Sequence, residues 1–182
     1  DENLKEKEEQ LIIESEENDI IEKDIFKSSA GRGTKVHAAI EFSIKNNFQL
    51  AEELTKSKDI DAVQYVIDLL SDYDDQVNFI SEEPLKFSFF NFMISGTPDL
   101  IILNGVESSP NLEVWDFKTG PFKSENPAYK MQLMCYAYAC VQLGYSLPST
   151  KIKLKLVYVD QKEMILFEYS FDQLNAAYGL HI

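Results

Sequence analysis

Arginine occurs once in this 182-residue chain, as Arg32, and lysine and arginine together number 17 against 31 acidic residues, a net charge of −14. So acidic a chain argues weakly against a nucleic-acid partner, without excluding a local basic track. Cysteine is almost as scarce, present only as Cys135 and Cys140. On a predicted helix these two point to different sides, and no disulfide framework or zinc spacing is present. Both read as reduced core residues, which suits a cytoplasmic setting. No apolar run reaches spanning length and no signal-peptide pattern opens the chain, so no membrane association is expected. Internal repeats are missing as well.

What is there is ordinary for a globular domain. The chain is 45% hydrophobic and 26% charged, and long enough to bury a real core. Its charge is unevenly spread. Residues 1–24 hold eleven acids against three lysines, so residues 1–26 read as a solvated acidic extension, a frayed helix or linker. The chain opens on DENLKEKEEQ, without a methionine, which suggests a piece of a longer protein or a mature form. Residues 27–182 read as a single domain.

Periodicity supplies the elements. Val36, Ala39, Ile40 and Ile44 recur at helical spacing within 27–47. Residues 59–73 form a second helix, with Asp59 as its cap and Val63, Val66, Ile67 and Leu70 as its stripe. Strands are predicted over 85–95, 98–104 and 112–118, joined by short links into an antiparallel meander, with turn chemistry at 108–111. Asn126 and Pro127 open the next helix and Gly144 stops it. Residues 151–160 and 164–171 pair as a hairpin around Gln161 and Lys162, and a short helix over 172–179 closes the chain. The order α, α, β-β-β, α, β-β implies an α/β fold with a central mixed sheet flanked by helices.

The chemistry concentrates at the strand reading EVWDFKTG, residues 113–120. Side chains two apart on a strand share a face, so Asp116 and Lys118 stand side by side at its end. A D-x-K pattern alone decides nothing, because Asp160-Gln161-Lys162 is a second example, set in a predicted turn. Asp99, however, follows Pro98 at the start of the neighbouring strand and can meet Asp116. Two carboxylates that meet in a partly buried site stay ionised cheaply only with a cation between them. Oxygen-rich ligation favours Mg²⁺ or Mn²⁺. Beside them, Lys118 can orient a water or stabilise charge building on a phosphate, parts that suit metal-assisted phosphodiester hydrolysis.

Pro98-Asp99 followed by Asp116-Phe117-Lys118 resembles the P-D…(D/E)-x-K signature of the PD-(D/E)XK nuclease superfamily, and the sequence is similar to its RecB-type branch in particular. GRGTKVH (31–37) with Glu41 resembles a G-x-x-x-H-x-x-x-E helix. EEPLKF (82–87) resembles an E-x-P strand, Gly96 to Asp99 matches G-x-x-D, and Gln132 with Tyr136 matches a Q-x-x-x-Y helix. The resemblance implies a restriction-endonuclease-like core and a Mg²⁺-dependent deoxyribonuclease, taken as an exonuclease. It suggests a module of a helicase–nuclease in DNA recombination and repair, with DNA as substrate and a helicase domain as partner. His37, Asp99 and Asp116 would bind Mg²⁺ or Mn²⁺, with the Phe117 carbonyl as a further ligand. Lys118 would act on the attacking water, and Gln132 and Tyr136 would lie near it and the nucleic-acid backbone. Glu41 would at most orient the site, and Glu83 reads equally as a plain strand-end carboxylate. Some RecB-type relatives hold an iron–sulfur cluster on one upstream and three downstream cysteines; this chain lacks them, so no cluster is expected.

Rival readings remain at this level. A nuclease-fold module could bind DNA or protein without cutting, although such a module has no need of the costly Asp-Asp-Lys set. An acidic interaction domain is the other. Lys151, Lys153 and Lys155 alternate with apolar residues and read as the outer face of an edge strand kept soluble by lysine. As a DNA track they would have to line up with Lys123 and Lys130. The second D-x-K is expected to be inert: Lys162→Ala leaves the rate of DNA digestion at the wild-type value, and a large loss would mean that the wrong pair had been chosen.

Overall fold

The computed structural model describes residues 31–51, 59–73, 77–89, 92–104, 111–123, 126–146 and 151–177. The acidic extension, most of the 108–111 turn and the last two residues of the predicted closing helix lie outside them. Four helices are described, α1 (Arg32–Lys45), α2 (Ile60–Leu70), α3 (Pro127–Gln142) and α4 (Phe171–Ala177). The strands are β1 (Asn78–Ser81), β2 (Leu85–Phe89), β3 (Phe92–Gly96), β4 (Leu100–Asn104), β5 (Asn111–Lys118), β6 (Lys151–Tyr158) and β7 (Glu163–Tyr169). Five of them form one sheet in the order β1-β4-β5-β6-β7, and β2 with β3 makes a separate two-stranded ribbon. β5 and β6 are parallel, with α3 as the crossover, and the other pairs in the large sheet are antiparallel. This is the mixed sheet flanked by helices that the element order implied.

Alternation along β5 divides the core. Leu112 and Val114 pack under α3 with Leu133, Ala137, Leu154 and Leu156. Trp115 and Phe117 face the other way, onto Val36 and Ile40 of α1 and Val63 and Val66 of α2. Both faces of β5 are therefore covered, which is why residues 112–117 are all buried and the strand reads as a nearly continuous apolar run. The ends of α3 form as its sequence dictates. The Ala128 N–H donates to Asn126 Oδ1 at 3.1 Å, Pro127 occupies the first helical position, and Gly144 takes φ +83° just beyond the last turn.

Three expectations are corrected. The predicted strand 85–95 is the β2–β3 hairpin, and the meander neighbour of β4 is β1 instead, a four-residue strand too short to show a period. Asp59 makes no side-chain cap on α2; its carboxylate accepts from Arg32 Nε at 2.6 Å. β6 is no edge strand, since β7 lies outside it. Its lysines answer a buried charge. Glu113, 2% exposed, lies 2.9 Å from Lys155 Nζ and 3.6 Å from Lys153 Nζ. Tyr73 Oη–H and Trp115 Nε1–H also donate to it, at 2.6 and 3.1 Å. Burial works to raise the Glu113 carboxyl, but the bonds from Tyr73 and Lys155 prevail and hold it below the usual range. Cys140 is buried and Cys135 half-buried, and neither is in a disulfide.

Because Lys155 is mostly enclosed, Glu113→Ala should cost roughly 3–5 kcal/mol, the penalty for stranding a buried charge. The joint change Glu113→Leu with Lys155→Met should cost much less. Urea unfolding of both variants checks this, and equal losses would show that the ion pair itself carries no weight.

Candidate active site

Register assembles the site. Leu100 pairs with Trp115 across β4 and β5, and Ser81 pairs with Leu100 across β1 and β4. One step further along, Glu82, Asp99 and Asp116 fall on a single rung at the strand ends. The Glu82 N–H donates to the Asp99 carbonyl at 3.2 Å, which extends the ladder to that rung. Glu82 adopts φ +51°, a backbone conformation that glutamate seldom takes. α1 brings His37 over Asp99, with Nδ1 3.1 Å from Oδ1. The other carboxylate oxygen, Oδ2, accepts the Phe117 N–H at 2.5 Å and so ties the β4 entry to the β5 exit.

Among the described residues, one set of His and acidic groups has donor atoms within 4.8 Å of one another: His37, Glu82 and Asp99. Asp116 is not in that set, so the trio of His37, Asp99 and Asp116 does not share so tight a spacing. Its carboxylate turns instead to Lys118, whose Nζ is 2.7 Å from Oδ2. The contact is a short ion pair, and it works to keep the Asp116 carboxylate ionised. Lys118 also lies over the Tyr129 ring, 4.4 Å from its centroid. Phe117, expected to offer its carbonyl, joins the site through its N–H and through an edge-on contact of its ring with His37.

The electrostatics follow from crowding. Burial, then the neighbouring Asp99, pushes the Asp116 carboxyl up to about 6, while Lys118 pulls it down. Burial, then Asp99 and Glu41, pushes Glu82 up to about 7. For His37, burial disfavours the imidazolium, yet the bond to Asp99 and the charges of Asp99, Glu82 and Asp116 together outweigh it, and the ring is raised above its ordinary value. All three groups thus hold protons more tightly than free side chains do. An imidazole and two carboxylates at one spacing, beside the buried Asp116 carboxylate, form a donor set that fits a divalent cation.

α3 closes the other side. Gln132 Nε2–H donates to Tyr136 Oη at 3.0 Å. Burial raises the Tyr136 phenol, Gln132 lowers it, and the charges of Asp116 and Asp99 raise it further. A Cβ on Gly96 would sit 2.7 Å from Tyr136 Cε1, which explains the glycine three residues before Asp99. Gly33 has the same reason: its Cβ would lie 2.9 Å from Thr119 Oγ1, where α1 meets the end of β5. Glu41 is occupied with Lys45, at 2.5 Å. Glu83 points away, accepting a 3.4 Å bond from Tyr145 Oη–H.

Two residues escaped the sequence reading. Glu82 had a signal, since it is the first residue of Glu82-Glu83-Pro84, but attention fell on Glu83. Asp160 was dismissed with its turn. The turn is real, with Lys162 exposed at φ +55°, but Asp160 is bound. It takes a two-pronged contact from Arg32 at 2.7 Å for each bond and the Gly120 N–H at 2.9 Å, and Arg32 holds it below the usual carboxylate range. Asp160 therefore pins the start of α1, which carries His37, to the turn that follows Lys118.

An α/β domain with acidic side chains, a histidine and a lysine gathered at adjoining strand ends is the class that fold and site define. The chain belongs to the PD-(D/E)XK nuclease superfamily, whose family model matches residues 15–176. The superfamily implies a nucleic-acid substrate, and its nucleases use divalent metals. No curated protein matches the chain. Among solved structures, one described as a candidate exonuclease from Eubacterium rectale is 8% identical, with a TM-score of 0.47 over 85% of this chain. The chain spans 65% of that structure's length. The structure of SSO0001 is 14% identical, with a TM-score of 0.37 over 92% of this chain and 84% of that one. No described helix is long and apolar enough to cross a membrane.

The raised groups fix a pH dependence. The ordinary values of Asp116 and Glu82 are 3.8 and 4.5, and the folded values about 6 and about 7. Folding takes up protons there, so metal-free stability is highest below the ordinary values and falls as pH rises through the folded ones. His37 acts in the same direction, since stability from its protonated form is lost as pH rises through its raised value. A cation bound in this site replaces those protons. Mn²⁺ should therefore raise the melting temperature by more at pH 8 than at pH 5. Equal shifts at both pH values would detach the ion from these groups.

Proposed function

We propose that this domain is a divalent-metal-dependent DNA nuclease that hydrolyses phosphodiester bonds. The observation that carries the reading is the Asp116–Lys118 pair, a carboxyl raised by burial and by Asp99 and held 2.7 Å from the lysine, set beside the His37, Glu82 and Asp99 cluster. His37, Glu82 and Asp99 would hold the metal, with Asp116 and the Phe117 carbonyl as adjoining ligands. Bound there, Mg²⁺ or Mn²⁺ supplies a nucleophilic water near neutral pH and offsets phosphate charge.

The chain's own groups do the rest. Lys118, fixed between Asp116 and the Tyr129 ring, donates hydrogen bonds to the attacking water or to a non-bridging phosphate oxygen. Attack forms one O–P bond, with the water's proton passing to solvent, and breaks the ester P–O bond opposite, and the leaving oxygen gains a proton from solvent. Tyr136, steadied by Gln132 and seated over Gly96, lines the approach of the nucleic-acid backbone. The Arg32–Asp160–Gly120 tie keeps α1 and the Lys118 turn in register. The ordered motifs favour the RecB-type branch, exonuclease action, and a helicase partner in recombination and repair, with no iron–sulfur cluster and a cytoplasmic setting. The whole of residues 27–182 would form the nuclease domain.

Asp116→Ala should abolish cleavage of linear DNA in Mn²⁺ while melting no lower than wild type without metal, because it removes a carboxyl that folding disfavours. Lys118→Ala should keep Mn²⁺ binding and lose about 10²–10⁴ in rate. An Asp116→Ala protein that melts normally and still cuts at the wild-type rate would overturn the reading, and one that melts far lower would make Asp116 structural.

A further inference from the structure

The large apolar side chains exposed among the described residues are Met93, Phe122, Met131, Leu143, Met164 and Leu166, and Phe122 is the one aromatic among them. Isolated exposed apolar residues are common and ordinarily call for no explanation. Phe122 differs in where it is and how it is held. It lies four residues beyond Lys118, in the loop that leaves the strand carrying the Asp116–Lys118 pair. Its ring rests against Tyr158, with centroids 5.0 Å apart and planes at 66°. Tyr158 is the register partner of Lys118 on β6, is itself buried, and feels the charges of Lys118 and Asp116. Phe122 thus packs on the residue that lies beside Lys118 in the sheet.

The loop is fastened on both sides of this ring. Before it, the Gly120 N–H is held by Asp160. After it, the Lys123 carbonyl accepts from Tyr158 Oη–H at 3.0 Å. A phenylalanine that stays 42% exposed on a backbone tied at both ends is a pre-ordered apolar surface, which loses little freedom on meeting a ligand. Lys123, next in sequence, is exposed and supplies a positive charge beside it. An aromatic face next to a cation is the pairing that captures a nucleobase and its phosphate, with little regard for sequence. The base must be free of its complement, because a paired base within a duplex has both faces stacked.

We propose that Phe122 is a stacking platform for an unpaired nucleobase next to the scissile phosphate, giving the domain a preference for single-stranded nucleic acid or frayed ends. This rests on the nuclease reading above and deepens it by naming the strand state of the substrate.

The test compares wild type, Phe122→Ala and Phe122→Trp on a fluorescein-labelled single-stranded oligonucleotide and on a blunt duplex, in Mn²⁺. Phe122→Ala should raise KM for the single strand about tenfold, the order expected for one lost base stack, with kcat and the melting temperature close to wild type. Phe122→Trp should restore KM, and the wild-type preference for single strand over duplex should shrink in Phe122→Ala. An unchanged KM overturns the proposal. So does a fall in kcat together with the melting temperature, which would make the ring structural, or a failure of tryptophan to restore KM. Where wild type cuts no DNA at all, the nuclease reading falls, and anisotropy with the same oligonucleotide decides the platform alone. Tenfold weaker binding by Phe122→Ala then supports it, and equal binding overturns it.

Discussion

Like charges placed on one rung of a sheet repel, and the site depends on how that repulsion is managed. Glu82, Asp99 and Asp116 reach the rung because β1, β4 and β5 end together in register. Asp99, in the middle, is the best supported, with His37 on one oxygen and the Phe117 N–H on the other. Its neighbours have less, and both are pushed towards their protonated forms. The arrangement is therefore incomplete as a set of charges. A proton or a cation completes it, and at neutral pH protons are scarce. The backbone accepts strain at the same place, in the positive φ of Glu82, and such strain persists where the surroundings over-determine it.

β5 contains its own comparison. Glu113 and Asp116 stand three residues apart on one strand, 2% and 5% exposed, yet their carboxyls shift in opposite directions. Glu113 gathers two lysines, a tyrosine and a tryptophan, and is held low. Asp116 has one lysine at short range and the Asp99 carboxylate beside it, and is raised. Burial is common to both, so burial cannot be what separates them. The difference is the number of polar partners and the like charge of Asp99 beside Asp116. A fully bonded buried carboxylate is a structural element, whereas a poorly bonded one beside further titratable groups marks a site.

How far the sequence foretold this depended on whether a residue's role was local. β5 and α3 were legible because periodicity, the Asn126 cap and the Gly144 stop are written within a few residues of each other. Asp99 and Lys118 were legible because the D-x-K and P-D patterns are also local. Glu82 was not, since β1 is only four residues long and the residue's place is set by pairing with β4. The hairpin of β2 and β3 was read as one strand because both halves are apolar and β-prone and periodicity carries straight through the turn. Lys153 and Lys155 were taken for a solubilising edge because nothing near them in sequence discloses that Glu113 lies beneath. Asp160 was discounted for the same reason: Arg32, its partner, is 128 residues away.

That last contact bears on how an acidic chain could handle a polyanion. The net charge of −14 opposes nucleic acid at long range, and the only arginine is committed to Asp59 and Asp160. Lys153 and Lys155 are committed to Glu113, and Lys130 lies over Phe167 and Tyr169. These four basic side chains are thus engaged by internal partners, while among the described residues Lys123 stays exposed beside the site. On the nuclease reading, the metal adds to the attraction. A divalent cation drawn in by Glu82, Asp99 and Asp116 would offset their negative charge where the scissile phosphate must sit and offer it a cation to bind, and stacking on an aromatic needs no charge. The acidic rung that repels a phosphate in the metal-free protein is then the feature that recruits it once the ion is bound, which couples substrate binding to metal binding at one place in the fold.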